Sequence, residues 1–206
     1  MNLNIGITGA SGALYGRHLV RALAEIPGES HLIISPAALR VLRQELEVPV
    51  DTPEQYLELA LRELHDTRHA FQLVDHRDIG ARPASGSAPS HGMVIVPCSM
   101  KTLAGIAHGY TSNLIERAAD VCLKERRRLI VVPREAPYSL IHLRNMTALT
   151  EAGGIVLPAS PGFYQRPQSL DDLGRFIAGR ILALFGVDHQ LFPAWQGDDP
   201  ETTVQK

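Results

Sequence analysis

The stretch Leu3–Leu23, LNIGITGASGALYGRHLVRAL, leaves few folds open to this chain. Leu3, Ile5 and Ile7 alternate with small or polar residues, the period of a short strand. Gly9-Ala10-Ser11-Gly12 breaks that period, and Leu14, His18, Leu19, Ala22 and Leu23 resume it at helical spacing. Strand, glycine turn and helix in this order gather free backbone N–H groups and the positive end of a helix at one point, a ready anion site. Glycine suits it because a Cβ would hold an anion off the backbone and because such turns often need positive φ. A tight strand-to-helix connection with no ligand would carry the same pattern.

The rest of the chain repeats the alternation. His31–Ser35 reads as a second strand and Pro36–Leu46 as a helix. A dinucleotide site would place Asp or Glu where Ser35 stands, and Ala13 and Tyr15 occupy glycine places of G-x-G-x-x-G, so NAD is disfavoured and a smaller phosphate fits better. Thr52-Pro53-Glu54-Gln55 has the marks of a helix start, with the helix running to about His65. His65 and His69 then share a helix face; with no third ligand nearby they read as a solvated helix end rather than a metal site. Phe71–Asp75 is a third candidate strand. The Gly-, Pro- and Ser-rich segment from Asp78 to Gly92 reads as a linker or a binding loop.

Gly92–Pro97 is apolar throughout, a buried parallel strand. Cys98-Ser99-Met100-Lys101-Thr102 opens a helix at its carboxyl end, repeating the position of the first loop. Cys98 has no charged activator beside it and reads as a buried thiol. Asn113–Arg128 is expected as one helix, with Asn113 and Glu116 as a cap pair and the basic run Arg126–Arg128 complementing its dipole. Arg117 and Lys124, seven apart, share a face. Leu129–Val132 is another buried strand with Arg134-Glu135 at its carboxyl end, Ser139–Ala152 a helix, and Ile155–Leu157 the last strand. Ser169-Leu170-Asp171-Asp172 caps a final helix to about Phe185 that carries Arg175 and Arg180. Strands alternating with helices give a doubly wound parallel α/β sheet, a flavodoxin-like or Rossmann-like three-layer sandwich.

Composition removes whole classes of function. The 206 residues suit one domain, 1–185, with a polar tail, 186–206, whose lone Trp195 suggests docking on a neighbouring subunit. No apolar run reaches the roughly 18 residues of a membrane span. The first strand follows the N-terminus directly, so no signal peptide is expected. Cys98 and Cys122 are too few for a disulfide scaffold, and a cytoplasmic, reduced setting is expected. A formal net charge of -2 argues against general nucleic-acid binding.

In open α/β sheets ligands collect outside the carboxyl ends of the strands. There Gly9–Gly12, Ser35, Cys98–Thr102 and Arg134-Glu135 can meet at one crevice, and Lys124 and Arg180 could join them. The crevice would hold backbone N–H groups, hydroxyls, Lys101, Arg134 and one carboxylate. It has more fixed cations than one phosphomonoester needs and no obvious nucleophile, so it suits two phosphates.

GASGALYG, PASGS, VPCSMKTL, IERAADVCLKERR, VPREAPYSLIHL and PGFYQRPQS, in this order, resemble the flavin prenyltransferases of the UbiX/Pad1 type, over about Ile5 to Trp195. The resemblance implies a homododecamer that joins a dimethylallyl group from dimethylallyl monophosphate to N5 and C6 of reduced FMN, giving prenyl-FMN for UbiD-type decarboxylases of ubiquinone synthesis or aromatic-acid metabolism. By motif, Gly9, Ala10, Ser11, Ser35, Ser99, Met100, Lys101, Thr102 and Arg134 would hold FMN. Tyr164 and Arg180 would clamp the dimethylallyl phosphate, supported by Lys124, Arg117 and Arg134. Glu135 would handle the proton, Ser11 would stand at the reacting centre, and Trp195 would sit near the prenyl group. Some relatives read Thr-Gly at Met100-Lys101, so the resemblance points to the backbone there more than to the side chains.

The chemistry agrees with the residues. Breaking an allylic C–O bond leaves a cation and a phosphate, and metal-dependent prenyltransferases neutralise the latter through D-D-x-x-D carboxylates. Asp171-Asp172 and Asp198-Asp199 lack the second acidic partner, so no metal is expected and fixed Lys, Arg and Tyr groups would do that work. Two other readings share the fold. An FMN-dependent cysteine decarboxylase needs a catalytic His and a PASANT-like loop, where this chain has PASGS and only His76. A non-catalytic flavin carrier or regulatory subunit would have no use for a phosphate clamp.

Overall fold

The computed structural model describes residues 1–193 of the chain. Six parallel strands run in the order β3-β2-β1-β4-β5-β6: β1 Asn2–Ile7, β2 Gly28–Ile34, β3 His69–Leu73, β4 Gly92–Cys98, β5 Arg128–Pro133 and β6 Ile155–Val156. The chain reverses direction across the sheet between β1 and β4, which makes their carboxyl ends the topological switch point. The expected sandwich is the observed one.

Strands with apolar side chains at every position are covered on both faces. Val94 and Val96 of β4 join Ile5 and Ile7 in one core with α1 (Ala13–Ala24), α2 (Pro36–Glu45), α3 (Pro53–Leu61) and α7 (Leu170–Leu184). Met93 and Ile95 point the other way, into a second core with α4 (Met100–Ala107), α5 (Leu114–Lys124) and the Leu149 side of α6 (Leu140–Glu151). Gly6 lets α5 close on β1, since a Cβ there would meet Ile115 at 3.1 Å.

Capping sets the helix starts. Thr52 and Gln55 form a reciprocal capping box at α3, as do Ser139 and His142 at α6 and Ser169 and Asp172 at α7. Asn113 caps α5 through the Glu116 amide, but the Glu116 carboxylate turns inward instead of completing the box.

Two expectations need correction, and the 78–92 loop gains a definite course. The helix from Thr52 stops at Leu61, and His69 lies in β3, buried and hydrogen-bonded to the Ile26 carbonyl and the Ser30 hydroxyl; it is neither solvated nor on a helix with His65. The basic run is not the end of a helix: α5 stops at Lys124, Arg126 takes φ 57, and Arg128 opens β5. The 78–92 segment contains a short 3-10 turn, Arg82–Ala84, whose Pro83 and Ala84 are buried. It runs back over α5 to the amino edge of the sheet, where the His91 amide donates to the Asn2 carbonyl.

Ile95 is fully buried between β1, β5 and α5. Ile95→Ala should lower the unfolding free energy by about 2–4 kcal/mol, read as a lower urea midpoint with unchanged slope.

Candidate active site

Four loops leave the carboxyl edge around the switch point, and the Thr8 side chain ties the central two. Thr8 is buried; its hydroxyl donates to the Pro97 carbonyl (3.0 Å) and accepts from the Ser99 amide (2.7 Å), while its own amide also donates to Pro97 (3.2 Å). The third loop joins through the Ser35 amide, which donates to the Ile7 carbonyl, and the fourth through the Arg134 amide, which donates to Cys98. The Arg134 guanidinium then crosses the crevice, its Nε donating to the Ser11 carbonyl at 3.1 Å. Ser11, Ser35, Ser99 and Arg134 therefore meet, as their positions at strand ends implied.

Each loop starts a helix differently. Ser35 and Ser99 are N-caps whose hydroxyls accept from the third helical amides, Ala38 and Thr102. By helix geometry the amides just before these have no partner within the helix, so α2 and α4 point donors at the crevice. Gly9 brings its loop against α2 so closely that a Cβ would stand 2.7 Å from the Ala37 Cβ. Gly12, the cap of α1, has φ 119, a conformation that favours glycine, and offers no side chain to the helix.

The start of α1 holds a residue the sequence did not point to. Glu45, the last residue of α2, places one carboxylate oxygen 2.8 Å from both the Gly12 and Ala13 amides. Burial opposes its ionisation, but hydrogen bonds from the Ala13 amide, the Ser11 side chain and the Gly12 amide, with the Arg134 charge, hold its carboxyl below the ordinary range. The amide pair read from the sequence as an anion site is thus bound by the protein's own carboxylate, and the helix ends at Ser35 and Ser99 remain for a phosphate. Glu45 stands 33 residues from Gly12 in the chain and nothing in its local pattern announces the contact.

The Lys101 ammonium is 2.6 Å from a carboxylate oxygen of Glu116, which is fully buried and also accepts from the Ser112 amide and hydroxyl. Lys101 therefore ties the first turn of α4 to α5, and its loop offers backbone to a ligand. The Cys98 thiol is fully buried, and burial raises its pKa, so it is not a nucleophile. Glu135 is exposed at the crevice rim and accepts from the Ala136 amide.

The candidate phosphate-clamp residues do not gather in one chain. Tyr164 follows β6, half-exposed, its ring edge-on to Phe176. Arg180 is exposed on α7, about 15 Å along it from its start. Arg117 pairs with Asp120 on α5 at 2.8 Å. Lys124 ends α5 at the amino edge, beside Gly86 and paired with Glu125. A strand the length of β5 spans about 20 Å, so this edge is far beyond a lysine's reach from the Arg134 crevice. The tail packs on its own domain as far as Pro193, with Phe192 stacked 4.9 Å from Phe176; Trp195 lies outside the described residues. Asp171 pairs with His18 and Asp172 with Arg175, so both acids of that pair have protein partners.

These residues fit FMN: serine-capped helix starts for a phosphate, close-approaching glycine at Gly9, and an arginine across the opening. The family model described as Flavoprotein matches residues 1–181. A flavin prenyltransferase UbiX of Halalkalibacterium halodurans is 47% identical over 191 residues, covering 93% of this chain and 91% of that protein. The solved structure of AnUbiX (PadA1) in complex with FMN and dimethylallyl pyrophosphate is 39% identical with a TM-score of 0.86, covering 96% of this chain and 98% of that one. A dodecameric FMN-dependent UbiX-like decarboxylase of Escherichia coli O157:H7 is 40% identical with a TM-score of 0.84, covering 96% and 100%. FMN-dependent cysteine decarboxylases such as SpaF, 20% identical with a TM-score of 0.56, share the fold alone.

Because hydrogen bonding depresses the Glu45 pKa in the folded chain, its stabilisation is present above the unfolded carboxyl pKa and is lost as pH falls through the folded one. Glu45→Gln should cost about 1 kcal/mol at neutral pH, discounted for solvent screening, and the gap to wild type should close in acid. Thermal melts at a series of pH values check this.

Proposed function

The chain belongs to the flavin prenyltransferase family, and we propose as its reaction the joining of a dimethylallyl group from dimethylallyl monophosphate to N5 and C6 of reduced FMN. The observation that carries this reading is the meeting of Ser11, Ser35, Ser99 and Arg134 at the switch point, in a chain nearly half identical to a UbiX enzyme. The cysteine-decarboxylase alternative has only the shared fold behind it.

Reduced FMN supplies the nucleophilic N5 and C6, and the residues of this chain bind, orient and neutralise. Gly9, Ala10, Ser11, Ser35 and the Ser99–Thr102 turn hold the nucleotide, with Arg134 facing its charge. Tyr164, Arg180, Lys124 and Arg117 take the donor's phosphate, fixed donors whose charge favours departure of the leaving group without reorganisation. Glu135 and the released phosphate take the proton lost from C6. Trp195, outside the described residues, is the aromatic proposed to shield the developing allyl cation.

The placement of Lys124 extends this reading to the assembly. One chain does not bring Lys124 to its own crevice, so the clamp is completed between copies, with Lys124 entering the crevice of another protomer. The dodecameric relative supports such an assembly. Through 185 the chain is read as one α/β domain. Among the described residues no helix is long and apolar enough to cross a membrane, and the two buried free thiols suit a reducing, cytoplasmic setting; the product would pass to a UbiD-type decarboxylase.

Anaerobic incubation with reduced FMN and dimethylallyl monophosphate, read by mass spectrometry, should give a flavin heavier by one five-carbon unit; unmodified flavin would contradict the reading. Glu135→Gln should slow the formation of that product by about a hundredfold while FMN still binds.

A further inference from the structure

We propose that Gly86 and Glu125 position Lys124 for the donor's phosphate: the Glu125 carboxylate holds the ammonium, and the missing side chain at Gly86 leaves the space in which the pair lies. The proposal rests on the reading of Lys124 as part of the clamp.

Adjacent residues on a helix point in different directions and do not pair. Lys124 and Glu125 pair because α5 ends there: Lys124 is its last residue, Glu125 its cap, and Arg126 turns the chain at φ 57. The pair lies against the PASGS segment. A Cβ built on Gly86 would stand 2.2 Å from Glu125 Oε1 and 2.7 Å from Lys124 Nζ. Gly86 is not among the residues with positive φ, so no left-handed backbone calls for glycine there, and what a side chain would meet is the Lys124–Glu125 pair. Arg127 fixes the segment from the same turn, Nη1 donating to the Ala88 carbonyl at 2.7 Å and Nη2 to the Gly86 carbonyl. Residues 124, 125 and 127 thus grip one short loop.

An ammonium has three donors; Glu125 takes one and leaves two for a phosphate. A lysine stem is flexible, and fixing it beforehand removes an ordering cost from binding. Both partners are partly exposed, with side-chain accessibilities of 47% and 35%, so the pair adds little to folding and its effect belongs in donor binding.

The groups a Gly86 Cβ would meet are the far ends of flexible side chains, so Gly86→Ala should fold normally while displacing the pair. In steady-state assays Gly86→Ala should raise the KM for dimethylallyl monophosphate about tenfold and, because Lys124 also meets the leaving group's charge, lower kcat as well, with Tm and FMN affinity unchanged. Glu125→Gln should raise KM by a smaller factor. In a Lys124→Ala background Gly86→Ala should add nothing, because the group it misplaces is gone. An unchanged KM in Gly86→Ala, or an equal rise in both backgrounds, overturns the proposal while the clamp stands. If Lys124→Ala itself leaves KM unchanged, the clamp reading falls and this proposal with it.

Discussion

A single hydroxyl holds the centre of this molecule together. Thr8 Oγ1 spends its proton on the Pro97 carbonyl and its lone pair on the Ser99 amide, and so locks the carboxyl end of β1 to that of β4. In a parallel sheet these two ends diverge, because β1 sends its helix to one face and β4 to the other. Without a tie the glycine loop and the Ser99 turn would be independent surface loops. With it, Ser35 and Arg134 dock onto the same frame, and the Arg134 guanidinium closes over Ser11. The buried strands below supply rigidity and the loops above supply chemistry.

Much of this was legible in the sequence because it is local. The alternation of Ile5 and Ile7, the unbroken apolar run of β4, and caps such as Thr52 or Ser169 are decided within a few residues, and they stand where the sequence put them. The errors came where tertiary contacts outvote local preference. His69 looked like a solvated helical residue, yet the pairing of β3 with β2 and a hydrogen bond to Ser30 make it part of the sheet. Arg126–Arg128 looked like a helix terminus, yet the register of β5 with β4 claims Arg128. Glu116 looked like half of a capping box, but Lys101 and Ser112 draw its carboxylate inside.

The site shows the same division more sharply. Residues at strand ends could be assembled from topology alone. Glu45 could not, since a charged residue in the last turn of an amphipathic helix reads as solvated until the fold swings it onto the α1 amides. The separation of the clamp, by contrast, was there to be read: a crossover helix returns to the amino edge, so Lys124, near the end of the helix before β5, had to lie away from the crevice. The structure sets the residues proposed to hold the nucleotide at one edge and Lys124 at the other, and a head-to-tail arrangement of copies is the geometry that joins unlike edges.

That shared site is the central claim, and subunit complementation tests it most directly. On the proposed reading Arg134→Ala should impair the crevice of its own chain and Lys124→Ala what a chain lends to its neighbour. Co-expressed with different affinity tags and purified as mixed oligomers, the two should recover roughly a quarter of wild-type prenyl transfer, since each site draws its two halves from separate chains. Mixed oligomers no more active than the separate parents would show that each chain completes its own site.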